Sequence, residues 1–181
     1  MSTAALDREV SGLEFMRAIV AGEIANVPIG ETLGFRPVEV EAGRIVFVGK
    51  PAAGSLNLIG TIHGGWSAAI LDTAMALAAL TTLDARHDFT TLDLKLNFLR
   101  PIAAGSEVRA EGKVIHGGRR IALCEGRLVD GAGKVLVHGT SSCLIVPRGT
   151  PHGIRNTGTA RLSYLAFTTT GDGYVRGAVG G

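Results

Sequence analysis

The order of apolar and polar residues divides the chain into a helical start, a strand-rich second half and one anomalous helix between them. Leu13, Met16, Ile19 and Val20 recur at helical spacing within Gly12 to Ile24, which predicts an amphipathic helix. Pro28 and the glycines of "VPIGETLG" break that pattern. Phe35 to Glu41 and Arg44 to Gly49 then read as two strands joined at Ala42-Gly43, with Pro37 placing the first near an edge or at its own start. Further on, "TLDLKLNFLRP" alternates, with Leu92, Leu94, Leu96 and Phe98 on one face and Asp93, Lys95 and Asn97 on the other. Three more strands follow up to Pro147, with turns at Gly117-Gly118 and at "DGAG", 130 to 133. One long helix followed by a meander of antiparallel strands predicts an α+β fold rather than a doubly wound α/β one.

The long helix, from about Gly65 to Leu80, is apolar on all sides. Ile70, Leu71, Met75, Leu77 and Leu80 spread around its wheel, as in a helix with a sheet wrapped about it, and its many alanines allow close approach. Asp72 interrupts this pattern. A carboxylate taken out of water must be paired, hydrogen-bonded or protonated, and desolvation raises its pKa toward that of a general base. Two readings stand: a structural Asp bonded to a neighbouring chain or a hydroxyl, or a reactive one. Gly64 and Gly65 favour the second, because bare backbone N–H groups at a helix start can hold an oxyanion or a polarised carbonyl. Gly65 and Asp72 are nevertheless about 10 Å apart along one helix. One carbonyl group cannot be held by the first and attacked through the second in the same chain. If both act together, two helices lie antiparallel about a twofold axis, and the site is dimeric.

Composition narrows the class without naming it. The 181 residues are 46% hydrophobic and 19% charged, an ordinary globular balance. A net charge of +2 gives no argument for nucleic acid or for an acidic membrane surface. Cys124 and Cys143 sit in apolar strand-like runs, which suggests buried thiols in a reducing compartment; a disulfide is the weaker reading, and no metal-ligand spacing occurs. The start carries Asp7 and Glu9 and does not read as a signal peptide, and the longest apolar stretch is interrupted by Ser67, Asp72 and threonines, so no membrane span is expected. The cytoplasm is the expected location. The chain divides into a helical segment over 1–27, a main domain over 28–147 and a Gly- and Thr-rich extension over 148–181, read as an extra strand and a tail.

Asn57, Gly60, the His-Gly-Gly of 63 to 65, Asp72, "TTLDLKLNFLRP" and "GKVIHGGRR" together resemble the hotdog-fold acyl-CoA thioesterases, in the PaaI-like group related to phenylacetyl-CoA thioesterase. The resemblance covers about Pro28 to Pro147. It implies an antiparallel sheet curled around one long central helix, dimers that pair these helices, often a tetramer, and hydrolysis of an acyl-CoA substrate to a free acid and coenzyme A. On the matching positions, Asp72 is the nucleophile or the general base. The glycine amides of the turn, Gly65 with Gly64, polarise the thioester carbonyl; Asn57 positions water or that carbonyl; and Thr90 or Thr91 supplies a hydroxyl. His63 orients the turn or contacts the thioester oxygen, or else fixes the loop through a backbone hydrogen bond. Trp66 and Met75 are expected to line the acyl pocket, with the core as the alternative for Trp66, and Lys113, Arg119 and Arg120 to hold the coenzyme A nucleotide and phosphates, with a solvated charged edge as the alternative. No metal and no cofactor beyond the substrate's own coenzyme A is implied. The extension after Pro147 departs from the family. Two rivals remain: a hotdog enoyl-CoA hydratase or dehydratase, whose Asp–His loop pattern is not found here, and a non-catalytic acyl-CoA binding module, against which Asp72, Asn57 and Gly65 speak.

Overall fold

A computed structural model describes residues 9–148. Helix α1, Gly12–Ala21, opens on a capping box: the Ser11 hydroxyl accepts the Glu14 N–H, and the Glu14 carboxylate accepts the Ser11 N–H at 2.9 Å. Gly22, left-handed at φ 78°, ends it before Ile24 is reached. Met16 and Ile19 are buried in the main core, so this helix shares one core with the rest of the described chain. The segment expected to be only a break holds a short helix, α2, over Pro28–Leu33. Pro28 sits in its first turn, where a missing N–H costs nothing, so the proline expected only to break a helix opens one.

Strands β1 (Phe35–Glu41) and β2 (Arg44–Gly49) match the expected boundaries, with Gly43 at φ 77° making the turn. Helix α3 runs Gly64–Leu80. Strands β3 (His87–Phe98), β4 (Val108–Gly117), β5 (Ile121–Asp130) and β6 (Val135–Pro147) complete one six-stranded antiparallel sheet in the order β1-β2-β4-β5-β6-β3. The turns fall at Gly117-Gly118, where the Gly118 N–H donates to Ile121 O, and at 130–133, where Gly133 is left-handed. Strand β3 begins earlier than the alternation suggested, and a bulge between Thr91 and Asp93 resets its faces. Thr91, Leu94, Leu96 and Phe98 stand opposite Cys143, Ser141, Gly139 and Val137 of β6, on the face toward α3.

The sheet grips α3 because small residues let it. A Cβ on Gly112 would lie 2.3 Å from the Ala74 backbone, and one on Gly126 would lie 2.9 Å from Met75 Cγ. Cys124 and Cys143 are free and buried. At the far end of α3 the buried Thr81 hydroxyl accepts the Gly43 N–H at 2.7 Å and donates to Ala78 O at 2.7 Å, pinning the β1–β2 turn to the helix. Replacing Thr81 by Val leaves that N–H without a partner; urea unfolding should show a loss of about 1–3 kcal/mol. Among the described residues no helix is long and apolar enough to cross a membrane. The extension expected after Pro147 lies, from 149 onward, outside the described residues.

Candidate active site

The start of α3 is built by the loop before it. Asn57 Oδ1 accepts the N–H groups of Ile59 and Thr61, both at 3.1 Å, and its Nδ2 donates to Thr61 Oγ1 at 2.9 Å. Gly60, at φ 81°, lets the loop close. His63 is the N-cap of α3, and its Nδ1 accepts the Gly65 N–H at 2.8 Å, which places the ring proton on Nε2 when the imidazole is neutral. Gly64 lies under the Phe98 ring, where a Cβ would come within 3.1 Å, and a Cβ on Gly65 would come within 2.9 Å of His63 Nδ1. A side chain at either position would have to displace the Phe98 or the His63 ring, so both glycines serve close approach rather than an unusual backbone angle. Gly64, Asn57 and Arg100 share one cleft of about 310 Å³.

Seven residues on, and so on the same side of the helix, Asp72 is half-buried and its Oδ1 accepts the Thr91 hydroxyl at 3.2 Å. Burial pushes the Asp72 carboxyl above its ordinary value, and the Thr91 hydrogen bond opposes that only in part. Of the two threonines considered, Thr91 is the one that reaches the carboxylate. The face that carries Asp72 is the one side of α3 that the sheet leaves uncovered: Gly65 is exposed, and Ala68, Ala69, Thr73 and Leu77 are only partly buried.

The other expected residues fall elsewhere. Trp66 is 3% exposed, donates its Nε1–H to Leu33 O at 2.8 Å and meets Phe35 edge-on, and Met75 is fully buried against Gly126. Both belong to the core between α3 and the sheet, not to a pocket beside Asp72, because an all-apolar wheel hides which side the sheet takes. Lys113 is exposed on the outer face of β4, next to the Glu111–Arg127 ion pair, since its neighbour Gly112 faces the helix. Arg119 and Arg120 are exposed at the β4–β5 turn. Within one chain none of these three cations joins Asp72. Asn57 and Gly64 line one cleft together with Ser67, Phe98, Ile102 and Val137, to which the sequence reading gives no role in the site. Phe98 was legible as a member of the apolar face of β3, which turns toward α3.

The thioesterase superfamily model matches residues 59–137. The phenylacetic acid degradation protein PaaI of Thermus thermophilus, a structure solved on a point variant, is 30% identical, with 65% of this chain and 98% of that one covered at a TM-score of 0.61. A Saccharolobus solfataricus protein whose name proposes an esterase is 40% identical over 76 residues, 42% of this chain. That match spans 53% of the relative's length. Human acyl-coenzyme A thioesterase 13 is 25% identical over 103 residues, 56% of this chain and 73% of the relative. The chain belongs to the hotdog-fold thioesterase superfamily, in its PaaI-like group. By that membership it is a thioester hydrolase.

Proposed function

We propose that the protein hydrolyses an acyl-CoA thioester to a free acid and coenzyme A, in a site made by two copies of the chain. The observation that carries this reading is the open face of α3, on which a desolvated carboxylate, aimed by Thr91, lies two helical turns from the glycine turn. The human relative, an acyl-coenzyme A thioesterase by name, supports coenzyme A as the thiol component. The small side chains of that face, Ala68 and Ala69, suit close packing of a second α3 running the other way, which brings Asp72 of one copy to Gly64 and Gly65 of the next.

In this reading Asp72 removes a proton from water as its oxygen attacks the thioester carbon. The carbonyl electron pair moves onto oxygen, and the backbone N–H groups at the start of α3 stabilise it. Collapse of that intermediate re-forms the carbonyl and expels the coenzyme A thiolate, which takes the proton. If Asp72 is instead the nucleophile, its oxygen attacks the thioester carbon and expels the coenzyme A thiolate to leave a mixed anhydride; water then cleaves the anhydride to the free acid and the Asp72 carboxylate, its released proton going to the thiolate. His63 Nδ1 already accepts the Gly65 N–H, so the Gly64 N–H is the readier donor and Gly65 contributes as His63 yields. Asn57, already committed to its own loop, acts chiefly by fixing the glycine turn. Arg119 and Arg120, at their exposed turn, are the candidates for coenzyme A phosphates.

Subunit complementation tests the shared site. Asp72→Asn and Gly64→Pro chains should each be nearly inactive alone, the second because proline at the first residue of α3 removes the amide hydrogen that would hold the carbonyl. Unfolded together and refolded, they should recover about a quarter of wild-type activity, because half the dimers are mixed and each mixed dimer holds one intact site. Absence of recovery, with mixed dimers demonstrated by mass, would place both groups in one chain and end the two-copy reading.

A further inference from the structure

The glycine turn opens onto a cleft that the reaction outlined above does not use. Its depth is apolar: Ile62 and Ile102 are buried, Val137 of β6 closes the floor, and Phe98 forms one wall. Ser67, one turn into α3, and the Arg100 side chain are its further polar lining beyond the turn itself. Arg100 is held in place by donating to Val135 O. Phe98 is the unusual member. Its ring presses on Gly64, yet 57% of the residue remains exposed, on the same inner face of β3 as Thr91. A half-exposed aromatic ring against a bare helix start is apolar surface awaiting a partner.

We infer that this cleft receives the acyl group of the substrate and that Phe98 sets the size of acyl group accepted. The inference rests on the reading of the glycine turn as the place that holds the thioester carbonyl. From a carbonyl seated at Gly64, one substituent leads into the apolar cleft and the other leads away. Ile62, Phe98, Ile102 and Val137 suit an acyl chain better than the pantetheine arm, whose two amides would find Ser67 and an Arg100 already donating to Val135 O. At about 310 Å³ the cleft lies at the small end of ordinary ligand pockets, roughly 300–1,000 Å³, which fits a compact acyl group rather than a long chain. Trp66 and Met75 play no part in this selection, because the sheet-facing core encloses them.

The test measures binding in the Asp72→Asn background, where substrate survives, across acetyl-, butyryl-, octanoyl-, palmitoyl- and phenylacetyl-CoA. Adding Phe98→Ala should tighten octanoyl- and palmitoyl-CoA relative to acetyl-CoA by about tenfold, the effect of removing bulk from an apolar specificity pocket. Phe98→Leu should produce a smaller shift in the same direction. The same change of affinity for every thioester would put the pantetheine arm in the cleft and overturn the inference, as would an unchanged profile. Failure of the wild-type protein to release free thiol from any of the five would sink the hydrolase reading separately, since these affinities do not depend on turnover.

Discussion

Asp72→Asn protein, folded and assembled as the wild type, should turn over acyl-CoA about 10²–10⁴-fold more slowly, the usual worth of a positioned general base. A thiol-trapping assay reads this directly, and an active variant would remove Asp72 from the chemistry. The amide keeps the side chain's shape and can still meet the Thr91 oxygen, so packing is preserved while the proton acceptor is lost. The wild-type pH profile carries a matching signature. Burial raises the Asp72 pKa, so its basic form is lost as pH falls through a value above the ordinary carboxylate range, and the acid limb of kcat/KM should lie correspondingly high. Stability runs the opposite way to rate. A carboxyl that binds its proton more tightly in the folded state favours folding at low pH, and that contribution is lost as pH rises from the ordinary carboxylate value through the raised one. At neutral pH Asp72 therefore costs stability, and Asp72→Asn should unfold at a higher temperature than the wild type while being far less active.

Gly112→Val should fail to give a folded protein at all. Even a Cβ at that position meets the Ala74 carbonyl carbon and oxygen at 2.3 Å, and both are helix backbone that cannot swing aside. The remaining escape is to lift α3 from β4, which opens the core around Leu71 and Met75. Losses of this kind exceed 4–5 kcal/mol, a large share of the roughly 5–15 kcal/mol that holds an ordinary domain. Gly22→Ala makes a useful contrast. A Cβ there meets nothing within 4 Å, so its cost is confined to the left-handed backbone. Circular dichroism and gel filtration should show collapse or aggregation for the first and a native spectrum for the second. A native Gly112→Val protein would mean that α3 does not sit on β4 as described.

The contrast between Thr91 and Trp66 shows what the sequence could carry. Asp72 stood out because a carboxylate in an apolar helix violates the pattern around it, and its hydroxyl partner lay on an identifiable strand. Periodicity likewise set β1, β2 and the turns of the meander, where glycine and strand formers agree. An all-apolar wheel has no polar side to orient it, so the sequence leaves Trp66 open between pocket and core and points Met75 to the pocket; packing against Phe35 and Gly126 fixes both in the core. The short helix at Pro28 was hidden by proline's double meaning, as breaker and as first residue. His63 on the Gly65 N–H was open as one of two roles, and a distance of 2.8 Å decides which contact exists in the single chain. The bulge at Thr91 was invisible, because nothing in the alternation marks the residue at which the strand changes phase.

The sheet order gives the site a place in time. Strand β3 pairs only with β6 among the described strands, although β4 and β5 lie between them in the chain. During synthesis Thr91 thus emerges well before the strand that fixes it, and Asp72 can acquire its hydroxyl partner only once residues 135–147 have left the ribosome. Throughout that interval Leu92, Leu94, Leu96 and Phe98 form a sticky strand without a neighbour, the kind of segment that draws chaperones or other nascent chains. Through that interval the Asp72–Thr91 hydrogen bond is still unmade, and the docking of β6 on β3 both fixes Thr91 and gives the strand its neighbour.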